Sequence, residues 1–229
     1  PNTVLNTIVA ESLDFIATEL ETRIKGGKSL VAAIQDLLPG IIKESKKVLF
    51  LGDGYSEEWH TEGEKKRGLP NLRNSVDALP IAVRKDSIEL FTNYKVYTEG
   101  ELKSRYNILC ETYVKTIAVE AKLTRFIAQN QILPAVLRYQ NEVATTVNST
   151  KTAGGDTSAA VTVLKAVSEG AAKLSKAIAA LDDALGHHAK GELIDHAKYS
   201  RDKIVPAMNA VREAADSLET IVADDLWPI

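Results

Sequence analysis

Several common ingredients are scarce in this 229-residue sequence, and each shortage narrows what it can be. A single cysteine, Cys110, excludes an internal disulfide and fits a reducing compartment. Met208 is the only methionine and residue 1 is proline, which predicts either an initiator trimmed before Pro1 or a piece of a longer protein. No charge sign dominates: 28 Lys and Arg against 31 Asp and Glu leave −3, so there is no basic field to hold nucleic acid. Phe126 to Leu137, the longest charge-free stretch, falls short of the ~20 apolar residues that cross a bilayer. No secretory leader is evident, so a soluble cytoplasmic protein with neither membrane nor nucleic-acid partner is expected. Aromatics are 6% of the chain, with none between Tyr139 and Tyr199. What is present is 45% hydrophobic and 26% charged, enough apolar material for a core.

The periodicity of that material is helical. Val4, Leu5, Ile8, Val9, Leu13, Phe15, Ile16, Leu20 and Ile24 predict a helix over about 3–25, stopped by Gly26-Gly27. Its apolar arc spans roughly 200°, wider than one core needs, with the Asp14, Thr7 and Glu21 side expected to face water. Leu30, Val31, Ile34, Leu37, Leu38, Ile41 and Ile42 give a second helix, bent at Pro39-Gly40. Val48 to Leu51 reads as a short extended segment entering Gly52-Asp53-Gly54, with Ser56 capping a short helix to about Arg67. Gly68 to Pro80 reads as loop, and Asp86 with Glu89, and Thr98 with Glu101, have capping-box spacing.

From Thr98 the pattern is longer. Leu102, Tyr106, Leu109, Tyr113 and Thr116, continued by Leu123, Ile127 and Leu137, predict one very long helix interrupted at Pro134. Gly154-Gly155 makes a turn. Leu164, Val167, Ala171, Leu174, Ile178, Leu181 and Leu185 form a heptad seam. Ile194, Ala197, Arg201, Ile204, Met208, Val211, Ala215, Leu218 and Val222 form another, after a joint near Gly186 to Gly191. Ile132-Leu133-Pro134-Ala135 and Ile204-Val205-Pro206-Ala207 predict two similar kinks, each costing an intrahelical hydrogen bond. The expected fold is mostly all-α: three long antiparallel helices in a bundle, preceded by shorter helices and an irregular loop with at most a very short strand.

Candidate chemistry is thin. Gly27-Lys28-Ser29 ends like a phosphate-binding loop, but Thr22 stands where its first glycine belongs and no strand precedes it. Gly52-Asp53-Gly54 lacks the third glycine of a dinucleotide fingerprint, Glu57 occupying that place. His187, His188 and His196, with Glu192 and Asp195, lie across a turn rather than one turn apart on a helix, which suits a polar connection better than a metal site. His60 stands alone beside Trp59. The pairs Glu57-Glu58, Asp182-Asp183 and Asp224-Asp225 point about 100° apart and do not converge. Asp224-Asp225 is oddly placed for a helix C-terminus and marks either the helix end or a partner contact. Cys110 has no histidine placed to activate it and reads as a buried structural thiol. No catalytic, cofactor-binding or metal residue is assigned.

One run of residues carries more. Gly52-Asp53-Gly54-Tyr55-Ser56-Glu57-Glu58-Trp59, with Arg67-Gly68-Leu69, Asn71-Leu72 and Asp77-Ala78-Leu79-Pro80, closely resembles the C-terminal region of type III glutamine synthetases. Thr98-Glu99, Glu101-Leu102, Ser104-Arg105-Tyr106, Ile132-Leu133-Pro134-Ala135 and Leu226-Trp227-Pro228 resemble the same family, as does Pro1 to Glu11. The resemblance implies that residues 1–97 end the catalytic domain and residues 98–229 are a long-helix extension. It implies a parent ligase that phosphorylates glutamate with ATP, uses divalent Mg or Mn, and forms homo-oligomeric rings. The family's metal, substrate and ATP residues lie upstream of Pro1, so none is carried over. The chain then serves as scaffold and subunit contact, its partners the catalytic domain of the same polypeptide and other subunits. The alternative is a stand-alone helical scaffold or interaction protein without catalysis.

Overall fold

The computed structural model describes residues 1–187 and 190–228, and among them every regular element is helical. The chain divides into two compact units, Pro1–Tyr106 and Asn107–Ile229.

In the first unit, α1 (Asn2–Lys25) ends at Gly26-Gly27, where Gly27 takes φ +94°. Ser29 caps α2 (Leu30–Ser45) by accepting from the Ala32 amide at 3.3 Å, and Pro39 lies within the helix. A 3-10 turn, Lys46–Val48, and an extended Leu49 stand where a short strand was conceivable. Ser56 caps α3 (Glu57–Lys65), accepting from Trp59. The expected loop from Gly68 holds a short α4 (Ser75–Ala78), capped by Asn74, and a 3-10 turn over Leu79–Val83. The Asp86–Glu89 capping box does not form. Helix α5 (Lys85–Asn93) starts two residues earlier, with Arg84 rather than Asp86 at its N-cap, and the Asp86 carboxylate pairs with Arg84 instead. The Thr98–Glu101 box does form: the Glu101 carboxylate accepts from the Thr98 amide at 2.8 Å and the Thr98 hydroxyl from the Glu101 amide at 3.2 Å.

Helix α1 departs in part from the expected orientation. Thr7 is its buried residue, and Asp14 accepts from the Tyr94 hydroxyl of α5 at 2.7 Å. Of the side expected in water, Thr7 and Asp14 thus meet the rest of the unit while Glu21 stays exposed, and Ile16 and Leu20 of the apolar arc are half-buried. Val4, Leu5, Ile8, Val9, Leu13 and Phe15 point outward instead. On α2 only Ala33 and Leu37 are buried, leaving Leu30, Val31, Leu38 and Ile42 exposed.

The second unit is a bundle. Helix α6 (Glu99–Ile127) runs through a π turn, Ala128–Ile132, into α7 (Leu133–Thr152). A Gly154-Gly155 turn closes α7, the Gly155 amide reaching back to the Thr150 carbonyl at 2.9 Å in a Schellman arrangement. Helix α8 (Ser158–Gly186) packs against α7 on one side and α10 (Val205–Glu219) on the other. Between α8 and α10 come α9 (Leu193–Tyr199) and a second π turn, Ser200–Ile204. The α8 seam is as the heptad predicts, with Val167, Ala171, Leu174, Ile178 and Leu181 buried. On the facing helix, Ser200 rather than Arg201 holds the seam: Ser200 is 2% exposed and its hydroxyl returns to the His196 carbonyl at 3.0 Å. Gly170 permits the close approach of α8 and α10, since a Cβ there would stand 2.5 Å from Leu218.

Helix α6 follows the expected seam in part. Leu102 is buried and Tyr106, Tyr113 and Ile127 are half-buried, together with the buried Cys110 and Ala121, while Leu109, Leu123 and, on α7, Leu137 are about half exposed.

Candidate functional site

The glycine-containing turns are structural. Lys28 Nζ lies 2.8 Å from Asp36 and Arg23 Nε 3.0 Å from the same carboxylate, so Lys28 is committed to an ion pair. Those two cations, Lys28 foremost, hold the Asp36 carboxyl below its ordinary range. The segment follows a helix, not a strand, and Ser29 is spent on capping, which leaves no phosphate cradle.

Gly52-Asp53-Gly54 is a tight turn in which the Asp53 carboxylate accepts from the Tyr55 amide at 2.9 Å and the Asp53 carbonyl from the Ser56 hydroxyl at 2.7 Å. Its anchor is Arg67, which sequence reasoning did not single out. The guanidinium pairs with Glu62, donates to the Lys47 and Leu49 carbonyls, and lies 5.0 Å over the Trp59 ring. Trp59 stacks on Phe50 at 4.4 Å. Contacts across about twenty residues have no local signal, so only the run of family residues hinted at Arg67. This frame presents Leu51 and Tyr55 almost fully to solvent.

The remaining candidates do not converge. His187 stacks on Tyr199 at 4.9 Å, and His188 lies outside the described residues. Glu192 and Asp195 form the capping box of α9, while His60 Nδ1 sits 3.4 Å from Glu57. Asp182 pairs with Arg125 across α6 and α8. Asp224-Asp225 occupies the first turn of a 3-10 helix, Asp224–Leu226, where negative charge suits the helix dipole; α10 has already ended at Glu219. Cys110 is fully buried. Among the described residues no group of three His, Cys, Asp or Glu is placed to hold a metal ion. An open cleft of about 630 Å³ beside α1 and α5 is lined by Ile8, Glu11, Asp14, Asp86, Leu90 and Tyr94. Of its polar groups, Asp14 accepts from Tyr94 and Asp86 pairs with Arg84.

What the molecule does offer is apolar surface. Leu5 is 60% exposed, Leu13 62% and Val31 64%, on two consecutive helices of one unit. Patches of this extent on a protein are sites of association.

Residues 33–151 match the glutamine synthetase C-terminal domain. The chain belongs to that family. Its whole length aligns at 33% identity with a type-3 glutamine synthetase of Dictyostelium discoideum, covering 32% of that protein. A glutamine synthetase of Butyrivibrio fibrisolvens is 30% identical over 86% of the chain and 29% of its own length. One from Bacteroides fragilis is 24% identical over 98% of the chain and 32% of its own length. The chain thus spans about a third of these relatives. The glutamine synthetase C-terminal domain match takes in the Arg67-anchored turn and the whole helical run from Glu99 through the first π turn into α7. Among the described residues, no helix is long and apolar enough to cross a membrane.

Proposed function

We propose that this chain is the C-terminal helical part of a glutamine synthetase subunit, supporting an active site built by residues of the same polypeptide outside it. Residues 1–97 are the end of the catalytic domain, and residues 98–229 the extension that contacts other subunits of a cytoplasmic homo-oligomeric ring. The observation that carries this is the outward apolar face of α1 and α2, which answers to a neighbour that these 229 residues do not contain.

The parent reaction is ATP-dependent ligation of ammonia to glutamate. ATP would supply the phosphoryl group, and divalent Mg or Mn would neutralise the charge developing on it during transfer. Among the described residues no group of three His, Cys, Asp or Glu is placed to hold the metal, and no chemical step is assigned to this chain's side chains.

Two preparations test the reading: the 229-residue chain, and the longer polypeptide that carries it. Glutamine formation from glutamate, ammonia and ATP is expected only in the longer one. Turnover by the chain in a preparation free of full-length enzyme would contradict the proposal. A start codon placed immediately before Pro1 would favour the stand-alone scaffold instead.

A further inference from the structure

We draw no further inference here: the strongest candidate, the exposed apolar patch that Ile108, Val119, Leu123 and Phe126 form on the outer side of α6, is an unpartnered face, and nothing in the structure shows what covers it.

Discussion

Tyr94 and Asp14 join α5 to α1 through one hydrogen bond, and that bond leaves a mark on titration. The accepting carboxylate, aided by desolvation, pushes the Tyr94 hydroxyl up to about 12 from its ordinary 10. A group whose ionisation is delayed in the folded chain contributes fully below the unfolded value and loses its contribution as pH climbs through the folded one. The chain should therefore lose stability between about pH 10 and 12, and Tyr94→Phe should remove part of that loss in melts followed across this range. Arg67 is the second residue with outsized reach. Arg67→Ala strands the Lys47 and Leu49 carbonyls and leaves Glu62 unpaired, for a cost of about 2 kcal/mol in urea unfolding. Arg67→Lys should recover little of it, because an ammonium lacks the planar fork. At Gly170 the opposing effects can be weighed: alanine gains up to ~1 kcal/mol of helix propensity but must displace Leu218, which is 1% exposed and has nowhere to go. Gly170→Ala should lower the melting temperature, and Gly170→Val should lower it more. None of these roles was legible from single residues. Ser56, Thr98 and Glu101 were, because a cap is completed within four residues; Arg67 and Gly170 act across the fold.

At the scale of elements, the two proline-containing segments depart most instructively from expectation. Each was expected to kink a helix. In each the π turn ends two residues before the proline: Ala128–Ile132 before Pro134, and Ser200–Ile204 before Pro206. A π turn spends one extra residue, which moves the carbonyl that the proline ring would otherwise strike and excuses the missing amide. The buried positions carry the same extra residue: Ala121 to Ala128 is seven, but Ala128 to Val136 is eight. Deleting the exposed Asn130 should restore an α-turn and force Pro134 into a helix interior, costing about 3 kcal/mol. The same deletion combined with Pro134→Ala should cost far less, and thermal unfolding of the two variants measures the difference. Helix existence and the α8 seam were readable because apolar spacing encodes them directly. The register after a π turn was not, since a 3.6-residue period assumes that no residue is inserted; that is why Ser200 holds the seam and Arg201 does not.

For the whole molecule, the sequence held one largely correct inference and one partly inverted one about α1. Its apolar arc was too wide for one core, and most of that arc is exposed, with Ile16 and Leu20 half-buried; yet of the side expected in water Thr7 is buried and Asp14 bonds to α5, while Glu21 stays exposed. Periodicity reports that a helix has an apolar face, not which neighbour takes it, and among the described residues Val4, Leu5, Ile8, Val9, Leu13 and Phe15 are left exposed. Faces of this kind on α1 and on α6–α7 predict concentration-dependent self-association by sedimentation, weakened by Ile8→Glu on the former. The central claim, that the chain is one part of a glutamine synthetase subunit, makes the cover of α1 and α2 the rest of the polypeptide. Hydroxyl-radical footprinting compares that surface in the two contexts most directly. Leu5, Leu13, Leu30 and Val31 should be strongly labelled in the dilute 229-residue chain and protected in the longer polypeptide that carries it. Equal labelling of those side chains in both would contradict the account.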